Sequence, residues 1–138
     1  MRTFILLLAF WTALSTLAPI RALADDVASA QSVIRAQEQA FGRGDAASAY
    51  SYAAPAIHEI FPSPDIFMDM VQRSYSPVYR HKSFEFGEAK AEGGVIAQRV
   101  HIIDANGEGW EALYTLQTQP DGSLKITGCS LLKAGQAV

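Results

Sequence analysis

The second half of the chain contains four runs of strand-forming residues separated by three short turn signals, and this pattern limits the fold more than any other feature. The four runs cover residues 83–89, 95–103, 110–118 and 124–132. The turns between them are Glu92-Gly93-Gly94, Asn106-Gly107 and Pro120-Asp121-Gly122-Ser123. Glycine, asparagine, aspartate and proline provide the backbone geometries that tight turns require. Because short turns join neighbouring antiparallel strands, the pattern predicts a four-stranded antiparallel meander.

The first half of the 138-residue chain shows helical spacing instead. Apolar residues recur three, four and seven positions apart in its first helical segment: Val27, Ala30, Ile34 and Phe41. Asp25 or Asp26 can cap the start of this helix, where a carboxylate also suits the helix dipole. Gly42 and Gly44 are predicted to end it.

Two further helices are predicted before the first strand. Asp45 can cap a short helix over residues 46–50, which is expected to end before Pro55. Ser63-Pro64 predicts the start of a third helix, and Pro77 is expected to close that region. Three helices followed by four strands predict an α+β fold. The N-terminal helices would pack on the antiparallel meander in a cystatin-like or cone-like architecture.

The register of the central hairpin determines which strand residues share a face. A two-residue turn at Asn106-Gly107 would pair Arg99 with Tyr114 and Ile103 with Trp110. One face would then combine the alternate residues Val95, Ala97, Arg99, His101, Ile103, Trp110, Ala112, Tyr114 and Leu116. The opposite face would include Val100, Ile102 and Leu113. Both faces would be mixed in character, so we expect the face without helices to contact a partner subunit in a homodimer.

Residues 1–24 have the three parts of a secretory signal peptide. Arg2 provides a positive start, residues 4–14 are apolar apart from Thr12, and Ala22-Leu23-Ala24 supplies small residues at the positions that a signal peptidase recognises. The alternative is an uncleaved membrane anchor, but polar residues, a proline and Arg21 interrupt the later half of the segment. The pattern therefore predicts cleavage before Asp25 and a single domain over residues 25–138. This domain would be periplasmic or secreted, with no membrane attachment after cleavage.

Charge and cysteine content restrict the expected partners. Without Arg2 and Arg21, nine of the eleven basic residues remain against fourteen acidic ones, a formal charge of −5. An acidic chain without a Lys/Arg cluster does not suit nucleic acid. Cys129 is the single cysteine, so no intrachain disulfide can form. It is expected to be a small buried residue rather than a nucleophile.

No motif in the chain specifies a cofactor or a metal. Histidine pairs at ligand spacing, cysteine pairs and phosphate-binding glycine loops are all missing from the sequence. Acid–base candidates by position are Tyr50, His58, Asp69, Arg99, His101 and Tyr114. The four predicted ligand-binding residues are Tyr50, Arg99, His101 and Tyr114. In the predicted register, Arg99, His101 and Tyr114 could converge on a ligand if their face lines the interior. On an exposed face they would be ordinary surface residues.

Several short motifs resemble a family of exported bacterial proteins known only as a domain of unknown function, DUF4864. They are Ala36-Gln37-x-x-Ala40-Phe41, Tyr52-Ala53-Ala54-Pro55-Ala56-Ile57, Pro77-Val78-Tyr79, Gln98-x-Val100, Ala112-Leu113-Tyr114 and the segment from Gln119 to Cys129. The chain departs from the family pattern at Leu124, where tryptophan is expected. The order of elements also resembles the cone-shaped nuclear transport factor two-like superfamily. The resemblance implies a fold and export, but no reaction.

Together these features favour a non-enzymatic exported domain that binds a small apolar ligand or a protein partner, without a cofactor. The alternative is a cofactor-independent isomerase, cyclase or hydrolase that uses a buried acid or base. The two functions differ in whether an internal pocket contains a polar group without a structural partner.

Overall fold

The structure, a computed structural model, describes residues 18–135, and side chains from residue 22 onward. Its helices are α1 (Ala18–Gly42), α2 (Ala46–Ser51), α3 (Pro55–Ile60), α4 (Pro64–Ser74) and α5 (Ser76–Tyr79). Its strands are β1 (His81–Glu92), β2 (Val95–Asp104), β3 (Gly109–Thr118) and β4 (Leu124–Lys133). The predicted α+β class and the order of helices before strands are confirmed. The strands form one antiparallel sheet in the order β1-β2-β3-β4.

Helix α1 begins earlier than the sequence pattern predicts. It starts at Ala18 and continues through residues 24 and 25, so neither Asp25 nor Asp26 caps its start. Pro19 does not prevent this, because proline is tolerated in the first turn of a helix. The remainder of the predicted signal peptide, residues 1–17, lies outside the described residues. Within residues 18–135, no helix is both long and apolar enough to cross a membrane.

The predicted caps of two helices are confirmed. The Asp45 carboxylate accepts a hydrogen bond from the Ser48 amide at 3.1 Å, and the Ser63 hydroxyl accepts one from the Ile66 amide at 3.2 Å. The short helices α3 and α5 were not predicted. Each carries a proline in its first turn, Pro55 in α3 and Pro77 in α5. Proline is favoured in the first turn of a helix, because its missing N–H is not needed at that position.

The predicted register between β2 and β3 is wrong by one residue. Arg99 pairs with Leu113, and Ile102 pairs with Trp110. The connecting loop has three residues, because the Asp104 amide donates to the Glu108 carbonyl at 2.9 Å. Three-residue hairpins with glycine in the left-handed region are a common alternative to the two-residue turn.

This shift changes how residues are distributed between the two sheet faces, because a slip of one residue moves every side chain of a strand to the other face. The buried face, which packs against the helices, contains Ile96, Gln98, Val100, Ile102, Ala112, Tyr114 and Leu116. Arg99, His101 and Leu113 lie on the outer face. The expectation of two mixed faces is therefore wrong. The homodimer stays a prediction, and the exposed apolar residues of the outer face are Ile103 and Leu132.

Replacing Gly107 with valine should lower the melting temperature. Gly107 has φ +84°, a backbone conformation that β-branched residues rarely adopt, while a Cβ added there would meet no atom of the described residues within 4 Å. The expected cost is therefore backbone strain alone, about 1–2 kcal/mol. Thermal unfolding followed by circular dichroism measures it. Gly107→Asn is the matched control, because asparagine tolerates this conformation and should cost less. Equal melting temperatures for wild type and Gly107→Val would contradict the assigned turn.

The carboxylate of Asp104 should make the stability of this hairpin depend on pH. Its Oδ2 accepts a hydrogen bond from the Trp110 indole at 2.8 Å, and its Oδ1 accepts from the Asn106 and Glu108 amides, both at 2.9 Å. The bond from Trp110 is the main cause that lowers the pKa of Asp104 below its usual 3.8. A carboxyl whose pKa is lower in the folded state stabilises the protein above pH about 4. That stabilisation disappears as the pH falls through the folded-state pKa.

Asp104→Asn is accordingly expected to melt below wild type at pH 7, and the difference should narrow at pH 3. Melting curves at the two pH values test this. Asp69→Asn serves as the control, because Asp69 is exposed and its ion pair among the described residues is with Arg73 on its own helix, at 3.6 Å. A difference for Asp104→Asn that is the same at both pH values would contradict a role for the ionised carboxylate.

Candidate functional site

A cavity of about 440 Å³ lies between the helical layer and the second half of the sheet. Helices α1, α3, α4 and α5 and strands β3 and β4 all contribute residues to its wall. The segment before α3 fixes the edge of this space through a single parallel bridge between Ala53 and Ile126. The Ala54 amide donates to the Ile126 carbonyl at 2.8 Å, and the Ile126 amide donates to the Tyr52 carbonyl at 2.9 Å. These bonds attach α3 to β4, so the helices surround the space rather than filling it.

Most of the wall is apolar and aromatic. Its large apolar side chains include Phe41, Ile57, Phe61, Phe67, Met70 and Val78. Phe67 lies at the centre of this group, since its ring centroid is 6.3 Å from that of Phe41 and 6.4 Å from that of Phe61. Ligand pockets in proteins are typically apolar in this way, with a few polar groups that set orientation.

The polar groups at the sheet side of the cavity include two tyrosines and the single cysteine. Tyr114 on β3 and Cys129 on β4 are direct register partners, and both line the cavity together with Tyr75. Burial and then the Cys129 thiol raise the pKa of Tyr114 well above its usual 10, and the same two causes raise that of Tyr75. Cys129 retains partial exposure, yet burial raises its thiol pKa to about 12. All three groups therefore stay protonated at neutral pH.

These groups can donate hydrogen bonds, but none of them has a pKa low enough to act as a general base at neutral pH. No aspartate, glutamate, histidine, lysine or arginine among the described residues lines the cavity. A general base needs a pKa near the working pH, and a cysteine nucleophile needs a thiolate. In the described part of the chain, no three histidine, cysteine or acidic side chains are grouped closely enough to hold a metal ion.

The model of one protein family matches the chain over residues 23–137, and its description is "Domain of unknown function (DUF4864)". This chain belongs to the DUF4864 family. The match covers most of the sequence and confirms the resemblance found in its motifs. No curated protein and no solved structure matches the chain.

The four predicted ligand-binding residues of this DUF4864 domain do not meet in one place. Tyr114 lines the cavity, and Tyr50 lies behind its wall, where its hydroxyl donates to the Phe61 carbonyl at 2.6 Å. Arg99 and His101 lie on the outer sheet face, 3.4 and 3.6 Å from the carboxylate oxygens of Glu111. The expected convergence of Arg99 and His101 with Tyr114 depended on the incorrect register.

Two other acid–base candidates have structural contacts outside the cavity. His58 Nε2 lies 2.8 Å from the Tyr50 carbonyl oxygen, and its ring stacks on that of Tyr50 with centroids 3.7 Å apart. Asp69 is exposed on α4. Two titratable residues that line the cavity, Tyr75 and Cys129, are not among the candidates predicted from the sequence. Cys129 could have been found from a correct β3–β4 register, because it lies opposite Tyr114.

Proposed function

We propose that this DUF4864 domain binds a small apolar molecule in the cavity between its helices and sheet. The observation that supports the proposal is the combination of a cavity of about 440 Å³, aromatic walls and a small cluster of protonated donors. Such a space offers a large gain from the burial of apolar ligand surface, and a few polar groups can then orient the ligand.

The alternative of a cofactor-independent isomerase, cyclase or hydrolase has less support. These reactions need a group that takes up or delivers a proton at the operating pH. Among the described lining residues, the titratable groups are Tyr75, Tyr114 and Cys129, and the pKa of each is raised by burial. Their chemistry favours donation of hydrogen bonds over proton transfer, so binding is the function that we propose.

A neutral fluorescent probe can test binding directly. We expect N-phenyl-1-naphthylamine to gain fluorescence on addition of the protein. Met70→Trp should weaken this binding at least tenfold, because Met70 lines the cavity and a larger ring would occupy it. Gln72→Trp is the matched control on the same helix, since Gln72 is exposed and does not line the cavity. Mass spectrometry of the protein purified from its host would then identify the natural ligand.

Equal probe affinity for wild type, Met70→Trp and Gln72→Trp would contradict the proposal. Circular dichroism spectra of the three proteins establish that each is folded. An absence of probe binding to folded wild type would contradict the proposal as well.

We also propose that the domain acts outside the cytoplasm, as a periplasmic or secreted protein starting at Asp25. The support is the signal-peptide pattern of residues 1–24 together with a family match that begins at residue 23. N-terminal sequencing of the protein from a cell envelope fraction tests this. An intact Met1 on a membrane-bound product would contradict it.

A further inference from the structure

The hydroxyl of Tyr114, one of the two cavity tyrosines, has a weak hydrogen-bond partner for a buried phenol. Buried tyrosine hydroxyls normally find a hydrogen-bond partner, as Tyr50 does with the Phe61 carbonyl at 2.6 Å. Tyr114 is only 2 % exposed, and its neighbour across the β3–β4 ladder is the Cys129 thiol. Sulfur is a weak donor and a weak acceptor. The side-chain hydrogen bond of the Tyr114 hydroxyl is with this thiol, and no fully buried side-chain nitrogen or oxygen atom among residues 22–135 is left without a partner.

We propose, on the basis of the ligand-binding function above, that the cavity selects neutral molecules carrying a hydrogen-bond acceptor such as a ketone or ester carbonyl. The acceptor would take hydrogen bonds from Tyr75 and Tyr114, and the apolar remainder of the molecule would lie against the phenylalanine-rich wall. A carbonyl oxygen is a stronger acceptor than a thiol, so the ligand would offer the Tyr114 hydroxyl a better partner than Cys129.

The described lining residues of the cavity carry no charge, and we therefore expect a neutral ligand. A carboxylate or phosphate would lose its hydration on entry and would meet no lysine, arginine or histidine among the described lining residues. A cation would meet no carboxylate there. An uncharged molecule with one or two acceptor atoms avoids both penalties.

Benzophenone and diphenylmethane form a matched pair of probes for this proposal, because they share a skeleton and differ in one carbonyl. Displacement of N-phenyl-1-naphthylamine gives their dissociation constants. We expect benzophenone to bind about three- to tenfold more tightly than diphenylmethane, the preference that one net hydrogen bond provides. 4-Benzoylbenzoate, which adds a negative charge to the same skeleton, should bind more weakly than benzophenone.

Substitution of the tyrosines tests the assignment of the donors. Tyr114→Phe and Tyr75→Phe should each bring the affinities for benzophenone and diphenylmethane closer together, because each removes one donor to the carbonyl. Tyr79→Phe is the matched control, because Tyr79 packs against Phe41 with ring centroids 6.1 Å apart but does not line the cavity. It should keep the full preference.

The outcomes separate this proposal from the one on which it depends. Equal affinity of wild type for benzophenone and diphenylmethane would overturn acceptor selection while leaving the cavity as a binding site for apolar molecules. A preference that survives in both Tyr75→Phe and Tyr114→Phe would overturn the assignment of these donors. Failure of every probe to bind folded wild type would overturn the binding function itself.

Discussion

Replacing Phe41 with alanine is expected to lower the free energy of unfolding by about 3–5 kcal/mol, the usual range for a fully buried aromatic residue. Phe41 is 2 % exposed and joins α1 to the rest of the core through its contacts with Phe67 and Tyr79, at centroid distances of 6.3 and 6.1 Å. The loss combines the missing burial of apolar surface with the space left behind. Urea denaturation followed by circular dichroism measures it.

Ile60→Ala is the control for this measurement, because Ile60 is 69 % exposed and should change the free energy of unfolding by less than about 0.5 kcal/mol. Phe41 also borders the cavity, so its removal enlarges the space available to a ligand. A Phe41→Ala protein that unfolds at the same urea concentration as wild type would show that α1 does not pack on the core in this way.

The second large effect is expected at Gln98, a polar residue with no exposed surface. Its side-chain nitrogen lies 3.0 Å from the Gly87 carbonyl, 3.3 Å from the Glu88 carbonyl and 2.7 Å from the Arg99 carbonyl. Its side-chain oxygen accepts a hydrogen bond from the side-chain nitrogen of Gln31 at 3.1 Å. Gln98→Ala removes all of these hydrogen bonds at once and leaves their partners without Gln98. We expect a loss of about 2–4 kcal/mol, because buried polar groups without partners are costly.

Gln98→Leu separates hydrogen bonding from packing, since leucine retains most of the side-chain volume but has no donor or acceptor. It should remain clearly less stable than wild type in urea. Gln117→Ala is the control in the neighbouring strand, where the glutamine side chain is exposed. A Gln98→Leu protein as stable as wild type would mean that the Gly87, Glu88 and Arg99 carbonyls find other partners or water.

Helices α1, α2 and α4 and the four strands could be predicted from the sequence because their signals are local. Asp45 and Ser63-Pro64 act through hydrogen bonds three residues away, and the glycine-containing turns separate the strands without help from the rest of the chain. The start of α1 was less predictable. Several residues near Asp25 are compatible with continuing the helix, and a potential cap does not require that the helix begin there.

The hairpin register could not be predicted, because Asn106-Gly107 fits both a two-residue and a three-residue loop. The choice depends on Asp104, whose carboxylate binds loop amides and the Trp110 indole at the same time. These contacts join residues on both strands. The error then placed Arg99 and His101 on the same face as Tyr114, since one residue of slip moves all the side chains of one strand to the other face.

The candidate site was predictable only in part, for the same reason. Tyr114 was selected from the sequence and lines the cavity, whereas Arg99 and His101 lie on the other side of the sheet. The cavity itself depends on the bridge between Ala53 and Ile126, which joins positions far apart in the chain. No pattern of neighbouring residues reports how far a helix lies from a sheet.

The bridge at β4 and the bulge in β1 also bear on how the domain behaves at high concentration. An open sheet exposes two edge strands, and unpaired strand edges are the sites at which proteins add to one another and grow into cross-β fibrils. The segment before α3 already uses the Ile126 backbone on the β4 edge. On the β1 edge, the bulge between Phe86 and Ala89 breaks the regular ladder, and the exposed side chains of this strand include Lys82 and Lys90. Both edges therefore oppose the addition of another strand, which limits polymerisation of a sheet that is open on two sides.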